Sequence, residues 1–504
     1  MKLMAASFEA KADGGRMHRS MVHVMLLSAC LVSVHAGCAN ELDPEPVAGS
    51  GEALSTTIDP RRSLAVTDQT ILARFSLKRV LDQLVAQSGV SGLTSRRLFQ
   101  QWWDTQNPKP GLGLGPHCDD QSDATGPLVN GFPYTCRAAP SEGAQASCDP
   151  FAANSPCAYI PIGLFNRFDL MPENGEYCGE YRIVYAKASG VAASDDRNLL
   201  IFEAALPNPL PLLGIEGCRP AIELWAGLSS VSDPAVRAAR LEGFYFSGLL
   251  VAVPPFPPVI KIEHFGASAS GRGQIRTNQF VVPPAPATRI WSLREFKLQR
   301  SCGLLNCSAL RVVPVSAKGN PYGPLFSASA AHARKAAFQA FLPQQVSTLV
   351  GETIPEIGIA IPDTYNSGQS EANGTTEGNF AAQIGVESSP LRGAIQASLT
   401  AAGSALTVEH VVARAQAQTC AGCHRISNNA DLGAGLIWPA SLGFTHLTER
   451  ETELVGGQTR YVLSAALNDV FLPHRQDLFE QYLDRTLVVR LITPLRPIGG
   501  LLVH

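Results

Sequence analysis

The sequence predicts an α+β fold: a disulfide-braced, loop-rich body that contains β-strands, followed by a small, mainly helical C-terminal region. Three observations lead there. Hydrophobic residues make up 45% of the 504 positions and charged residues only 16%, so the chain can bury a sizeable core. Gly and Pro are plentiful at 44 and 36, which favours many turns over a helical bundle. Cysteines number 12, and most of them lie in the first two thirds of the chain. The formal net charge of −3 excludes nucleic-acid binding through a basic field.

Taken in chain order, residues 1–37 read as an export signal. "MVHVMLLSACLVSVHAGC" is an apolar run ending in small residues, with Lys2, Lys11, Arg16 and Arg19 before it. It is short for a stable membrane span. Its end, Val34-His35-Ala36-Gly37-Cys38, resembles a bacterial lipoprotein cleavage box, which implies lipidation of Cys38. His35 departs from that family's usual leucine, and ordinary cleavage near Ala36 is the alternative. Residues 38–66 then read as a flexible linker. The implied location is the periplasm, outer membrane or cell surface, with membrane contact only through the N-terminal anchor.

The body is expected over 67–400. "ILARFSLKRVLDQLVAQ" and "LTSRRLFQQWWDTQN" carry apolar residues at helical intervals. Eight cysteines, at 118, 136, 148, 157, 178, 218, 302 and 307, suit about four disulfides in an oxidising compartment. Nearest-neighbour pairing is the simplest connectivity, and "CGLLNC" makes Cys302–Cys307 the safest pair. From 158 to 315 short runs rich in Val, Ile, Phe and Tyr predict strands: "YIPIGLFNRFDL", "EYRIVYAKA", "NLLIFEAAL", "GLLVAVPPF", "PVIKIEHFG" and "LRVVPVS". Asp233 and Pro234 predict a capped helix start within that region. No nucleophile elbow and no H-E-x-x-H motif occur, so a hydrolase reading has no motif behind it. Asn166, Arg167, Asp169, Glu180 and Arg182 could line a site. The plainer expectation is that Asp169 or Glu180 pairs with an arginine and pins a loop.

The one strong chemical motif is "QAQTCAGCHRIS", Gln416 to Ser427, with Cys420, Cys423 and His424 spaced C-x-x-C-H. Two thiols at this spacing reach two vinyl groups on one edge of a porphyrin, and the adjacent imidazole reaches the iron. "LTVEHVVARAQAQTC" predicts the delivering helix, with Thr407 as N-cap. The segment resembles the attachment site of c-type cytochromes. The resemblance implies one covalent haem c in a haem-binding region over 401–504, an electron-transfer or haem-linked redox role, and a redox partner protein. Three other readings stay open: a plain Cys420–Cys423 disulfide in a surface binding or structural lipoprotein, a thioredoxin-like redox pair, and a zinc site using His446 or His474.

A methionine sixth ligand downstream is excluded, because the last of the 6 methionines is Met171. His446, beyond the apolar stretch "LGAGLIWPASLGF", is the favoured second axial candidate, ahead of His474 and His504; an open position is the alternative.

Five stretches, "FNRFDL" (165–170), "CGEYRIVYA" (178–186), "GQIRTNQF" (273–280), "REFKL" (294–298) and "TCAGCHRIS" (419–427), resemble segments of a family of large exported bacterial proteins. The resemblance covers roughly 70–480. It implies one body co-inherited with the C-x-x-C-H region, and no activity.

Overall fold

A computed structural model describes residues 57–484, except 138–146, 173, 251, 253, 267–271, 282–288, 305 and 374–376. Cys38 and His504 lie outside the described residues, as do the export signal and most of the linker.

The fold is built on one antiparallel sheet. Its strands are β1 (Ala65–Val66), β2 (Tyr159–Arg167), β3 (Tyr177–Lys187), β4 (Asn198–Pro207), β5 (Gln274–Val281), β6 (Ile290–Cys302) and β7 (Cys307–Val315), hydrogen-bonded in that order. An eighth strand, β8 (Gln369–Glu371), pairs with the first part of β6. The mixed α+β class therefore stands, with antiparallel pairing throughout the sheet.

Side chains alternate across a strand. On β3, Tyr181, Ile183 and Tyr185 point one way, and Glu180, Arg182 and Val184 the other. The first set meets a helical layer formed by α1 (Leu77–Ser88), α2 (Ser95–Asp104), α3 (Arg219–Ala226) and α4 (Pro234–Phe246). Tyr181 packs on Trp225 and Phe244, and Trp102 of α2 meets Phe202 of β4. Asp233 caps α4 by accepting from the Ala235 amide, with Pro234 in the first turn, as local chemistry predicts.

The opposite face is covered by the last part of the chain. There lie α5 (Pro390–Ala401), α6 (Val408–Ala417), a π-turn at Gly422–Ile426, a hairpin of β9 (Leu447–Val455) and β10 (Gln458–Leu463), and α7 (Leu472–Asp484). The C-terminal region is thus helical with a β-hairpin inserted. Gly456 and Gly457, both at positive φ (57° and 77°), close that hairpin, a conformation glycine adopts without steric cost. This segment shares one apolar core with the body, and all described residues fall in one compact unit.

Two expected strands do not form among the described residues. Leu249 and Phe256 make an isolated bridge, and 258–266 hold a short 3-10 turn at Ile262–Phe265. Pro254, Pro255, Pro257 and Pro258 have no N–H to give a ladder, so the apolar run packs without pairing. Strands β5 and β6 take the place of those runs in the sheet.

Four disulfides join Cys118–Cys136, Cys148–Cys157, Cys178–Cys218 and Cys302–Cys307, which is the nearest-neighbour pattern. They mark a chain that folds in an oxidising, extracytoplasmic setting. Among the described residues no helix is long and apolar enough to cross a membrane. Cys178–Cys218 ties β3 to the start of α3 across 40 residues. Replacing both cysteines with serine should lower stability by about 2–4 kcal/mol, read from the denaturant midpoint of the full chain.

Candidate functional site

The C-x-x-C-H segment is held in place by its neighbours before any side-chain chemistry enters. Thr407 caps α6 by accepting from the His410 amide. Arg414 on that helix is buried and donates to the carbonyls of Leu432, Leu349 and Gly351 at 2.7–2.9 Å. Beyond the helix the chain tightens: the Cys423 amide donates to the Thr419 carbonyl and the Gly422 amide to Thr419 Oγ1. The Ala421 amide donates to Ser370 Oγ on β8, which ties the motif to the sheet. Gly422 is required by space, since a Cβ there would lie 1.8 Å from the Gln416 carbonyl oxygen.

Cys420 and Cys423 are both buried free thiols, unlike the eight paired cysteines. Burial pushes the Cys420 thiol up to about 12, although Arg276 pulls the other way. Cys423 is also raised by burial. Both sulfurs are therefore protonated and shielded, unlike the accessible low-pKa thiolate of a disulfide-exchange enzyme.

The structure brings His424 and His446 to these thiols. Cys423 Sγ lies 3.2 Å from His446 Nε2, and the two imidazole rings are 4.6 Å apart at 63°. His424 Nδ1 lies 2.8 Å from the Phe444 carbonyl oxygen. A carbonyl only accepts, so Nδ1 carries the proton and Nε2 keeps its lone pair. Asn278 Nδ2, 3.3 Å from the same nitrogen, is also a donor; its polar contact in this tautomer is the Phe444 carbonyl at 3.4 Å. His446 Nδ1 is 2.8 Å from Ser464 Oγ. Burial lowers His424 to about 4 and His446 well below its ordinary value. Both rings are neutral at physiological pH, the form that binds a metal. The 444–449 segment that supplies the Phe444 carbonyl and His446 is clamped to the body by Arg197, which donates to both Glu449 carboxylate oxygens at 2.9 Å and to Thr445 Oγ1.

Beside these groups a narrow cleft opens over the charged face of the sheet, with a cavity volume of about 80 Å³. That is well below the ~300–1,000 Å³ of cofactor and small-molecule sites. His424 and His446 line it. Its apolar walls include Phe165, Val184, Ile201, Leu293 and Phe471, and its polar wall holds Arg167, Arg182, Arg276 and Arg475. The expected pairings are present: Arg167 grips Asp169 with two nitrogens, and Arg182 meets Glu180 at 2.7 Å. Burial works to raise the Glu180 carboxyl, but Arg182, Lys318 and Arg167 together outweigh it and hold it at about 2. Of the five residues that the sequence suggested could line a site, Arg167 and Arg182 line the cleft, whereas Asn166, Asp169 and Glu180 do not. Sequence reasoning did not single out Arg276, Asn278 or Arg475, which face the cleft from β5 and α7.

The donor set can be tested against possible groups. Among the described residues no three His, Cys, Asp or Glu side chains converge in a way that could hold a metal ion, so zinc finds no cage. His474 is half-buried on α7 and does not line the cleft. Two imidazoles on opposite sides of one metal, each nitrogen about 2 Å from it, stand with ring centres roughly 6 Å apart. His424 and His446 are closer than that, so both would bind one iron only after the rings part. Two thiols and His424 are donor types that can hold a tetrapyrrole, but the cleft beside them encloses only about 80 Å³ and neither thiol lines it, so the packing described here does not accommodate such a ring without opening.

Comparisons with protein-family models, with curated proteins and with solved structures return no match.

Two consequences can be measured. Gly422→Ala forces the Cβ against the Gln416 carbonyl and should cost at least about 2 kcal/mol, read by chemical denaturation. The second concerns acid. An unfolded histidine takes its proton near 6.5, whereas folded His424 refuses it until about 4. Between those values the unfolded chain binds more protons, so stability falls as pH drops through that window. His424 alone should account for about 2–3 kcal/mol of that loss. Denaturation midpoints at pH 7 and pH 4 should differ less for His424→Gln than for the parent chain.

Proposed function

We propose that this is an exported single-haem c-type protein with an electron-transfer or haem-linked redox role, in which Cys420, Cys423 and His424 hold the haem against the charged face of the sheet. The observation that carries the reading is a pair of free buried thiols next to a tautomer-fixed neutral imidazole, His424, which lines a cleft with apolar and guanidinium walls.

Cys420 and Cys423 would hold the haem by thioether links, each S–H adding across a vinyl double bond with no oxidant required. His424 would bind the iron through Nε2, because the Phe444 carbonyl holds the ring's proton on Nδ1. Ser464 orients His446 through its Nδ1, and Nε2 of His446 faces Cys423. The walls built by Phe165, Leu293 and Phe471 exclude water from one side of the site. When bound, the iron supplies one-electron redox chemistry, with a lower potential for imidazole or open sixth ligation than methionine would give. Both sulfurs are buried in the folded chain, so attachment belongs to the chain before the 420–424 segment closes on β8. Anchoring of Cys38 to the outer membrane and docking of a redox partner are parts of the same proposal.

The test is expression in an export-competent host with haem-maturation proteins. The product should be red, with a Soret band that stays with the polypeptide through acid–acetone extraction. Peptide mapping should place a tetrapyrrole mass on residues 416–427. Cys420→Ser with Cys423→Ser should abolish both. Unmodified or mutually bonded sulfurs in that peptide would overturn the reading and leave a surface binding protein.

A further inference from the structure

Leu212 and Leu304 are fully exposed, and Leu213 is about half exposed. A single exposed leucine is ordinary, but these sit on two tips that are braced to hold them out. The first tip follows β4. There Asn208 Nδ2 donates to the carbonyls of Gly175 and Gly214 at 2.6 and 2.7 Å, the Leu213 amide donates to the Leu210 carbonyl, and Cys178–Cys218 ties the loop to β3. The second tip joins β6 to β7. Cys302–Cys307 closes it, with a bond from the Gly303 amide to the Asn306 carbonyl. Neither 209–214 nor 303–306 contains a charged residue.

Strand register puts both tips at one end of the sheet. Phe202, Ile275 and Phe296 stand in one row across β4, β5 and β6. From that row β4 runs from 202 to 207 and β6 from 296 to 302, in the same direction. At ~3.4 Å per residue the two strands advance roughly 17–20 Å, so the tips project to similar heights. Three strand spacings separate β4 from β7, which sets the tips roughly 14 Å apart. The chain also enters at this end. Pairing of Arg167 with Glu180 and of Tyr177 with Pro207 places the end of β2 there, and Phe168 just beyond it packs on Phe479 of α7. The Ile58 amide donates to Glu480 Oε1 on the same helix at 3.0 Å, and the Tyr482 hydroxyl donates to Glu216 Oε1, behind the first tip, at 3.2 Å.

We infer that this end of the sheet is a bilayer-contact face, with Leu212, Leu213 and Leu304 entering the lipid interface. This rests on the anchoring part of the proposed function and adds to it a contact made by the folded body itself. Cys38 lies 20 residues before Ile58, at most about 70 Å of chain, so a lipid on Cys38 tethers the body by the end that carries the leucines. The chemistry of the tips suits a fluid apolar medium. Protein-binding hot spots favour Trp, Tyr and Arg and under-represent Leu, whereas interfacial insertion is driven by the apolar area laid into the acyl boundary. Lipid also fills the gap between the two tips, for which a rigid partner needs a matching ridge.

The test uses the full chain carrying Leu212→Trp or Leu304→Trp, reconstituted with phosphatidylethanolamine–phosphatidylglycerol vesicles. The five native tryptophans, Trp102, Trp103, Trp225, Trp291 and Trp438, are all buried, so the added indole is the one that lipid can reach. Its fluorescence is compared in vesicles with and without brominated acyl chains. At both positions the emission should move to shorter wavelength and fall at least twofold with bromine. Leu212→Asp with Leu213→Asp, added to the Leu304→Trp chain, should remove at least half of that quenching, although position 304 itself is untouched. Water-like, unquenched emission at either position would overturn the face and leave the leucines to a protein partner. Unchanged quenching in the aspartate variant would overturn it too. The Leu→Trp probes alter only exposed positions, so a poorly folding aspartate variant does not remove the test. The mass of the N-terminal peptide keeps the two ideas apart. Acylated Cys38 with unquenched indoles sinks the face alone, and unacylated Cys38 with quenched indoles sinks the anchor alone.

Discussion

A sheet buried on both faces can carry ionised side chains only if each charge is met by a partner held opposite it. That constraint governs this molecule. One face of the sheet is apolar and packs on α1 to α4. The other carries Arg182, Glu203, Arg276 and Glu295, all more than nine-tenths buried. Strand register solves the problem, because Arg182 stands directly across from Glu203 and Arg276 directly across from Glu295. Slipping one strand by a single residue would turn its charges toward the helical core and strand their partners. The ion-pair lattice therefore specifies register as well as charge balance, and it fixes where the cleft forms.

The C-terminal segment completes the burial and brings the chemistry with it. Its anchors are polar contacts of short range, from Ser370 to the Ala421 amide, from Arg197 to Glu449 and Thr445, and from Arg414 to three carbonyls. These hold a compact group of two thiols and two imidazoles in an environment where every one of them is neutral. A neutral imidazole with its proton assigned by a carbonyl is prepared as a ligand, and a buried thiol is protected from stray oxidation. The arginines of the ion-pair lattice and the two neutral imidazoles line the same cleft.

Local signals were legible wherever the physics is local. The caps at Asp233 and Thr407, the four disulfides between nearest cysteines and the strands 159–167, 177–187 and 198–207 all follow from short-range pattern. Reading failed where both faces of an element are specialised. The β5 sequence "QIRTNQFV" was not among the expected strands because it has no apolar stripe: Arg276 and Asn278 face the cleft while Thr277 and Gln279 face a buried polar layer. Residues 248–266 looked like strands because apolar composition outweighed the prolines that forbid a ladder. The hairpin at 447–463 was hidden among charged residues, Glu449, Arg450, Glu451 and Glu453, whose spacing gives no apolar stripe.

The sequence by itself marked the C-x-x-C-H triplet Cys420, Cys423 and His424, since that pattern is a matter of spacing along a few residues. It also marked "FNRFDL", "CGEYRIVYA" and "GQIRTNQF" as stretches of interest, without saying that they meet. Only the tertiary structure decided that Arg167, Arg182 and Arg276 stand around one cleft with His424, and that His446 stands beside Cys423 while His474 does not line the cleft. The physical reason is that such meetings are set by strand register and by how residues 420–484 lie on the sheet. Both are outcomes of packing between residues as much as three hundred positions apart, and neither leaves a trace in local composition.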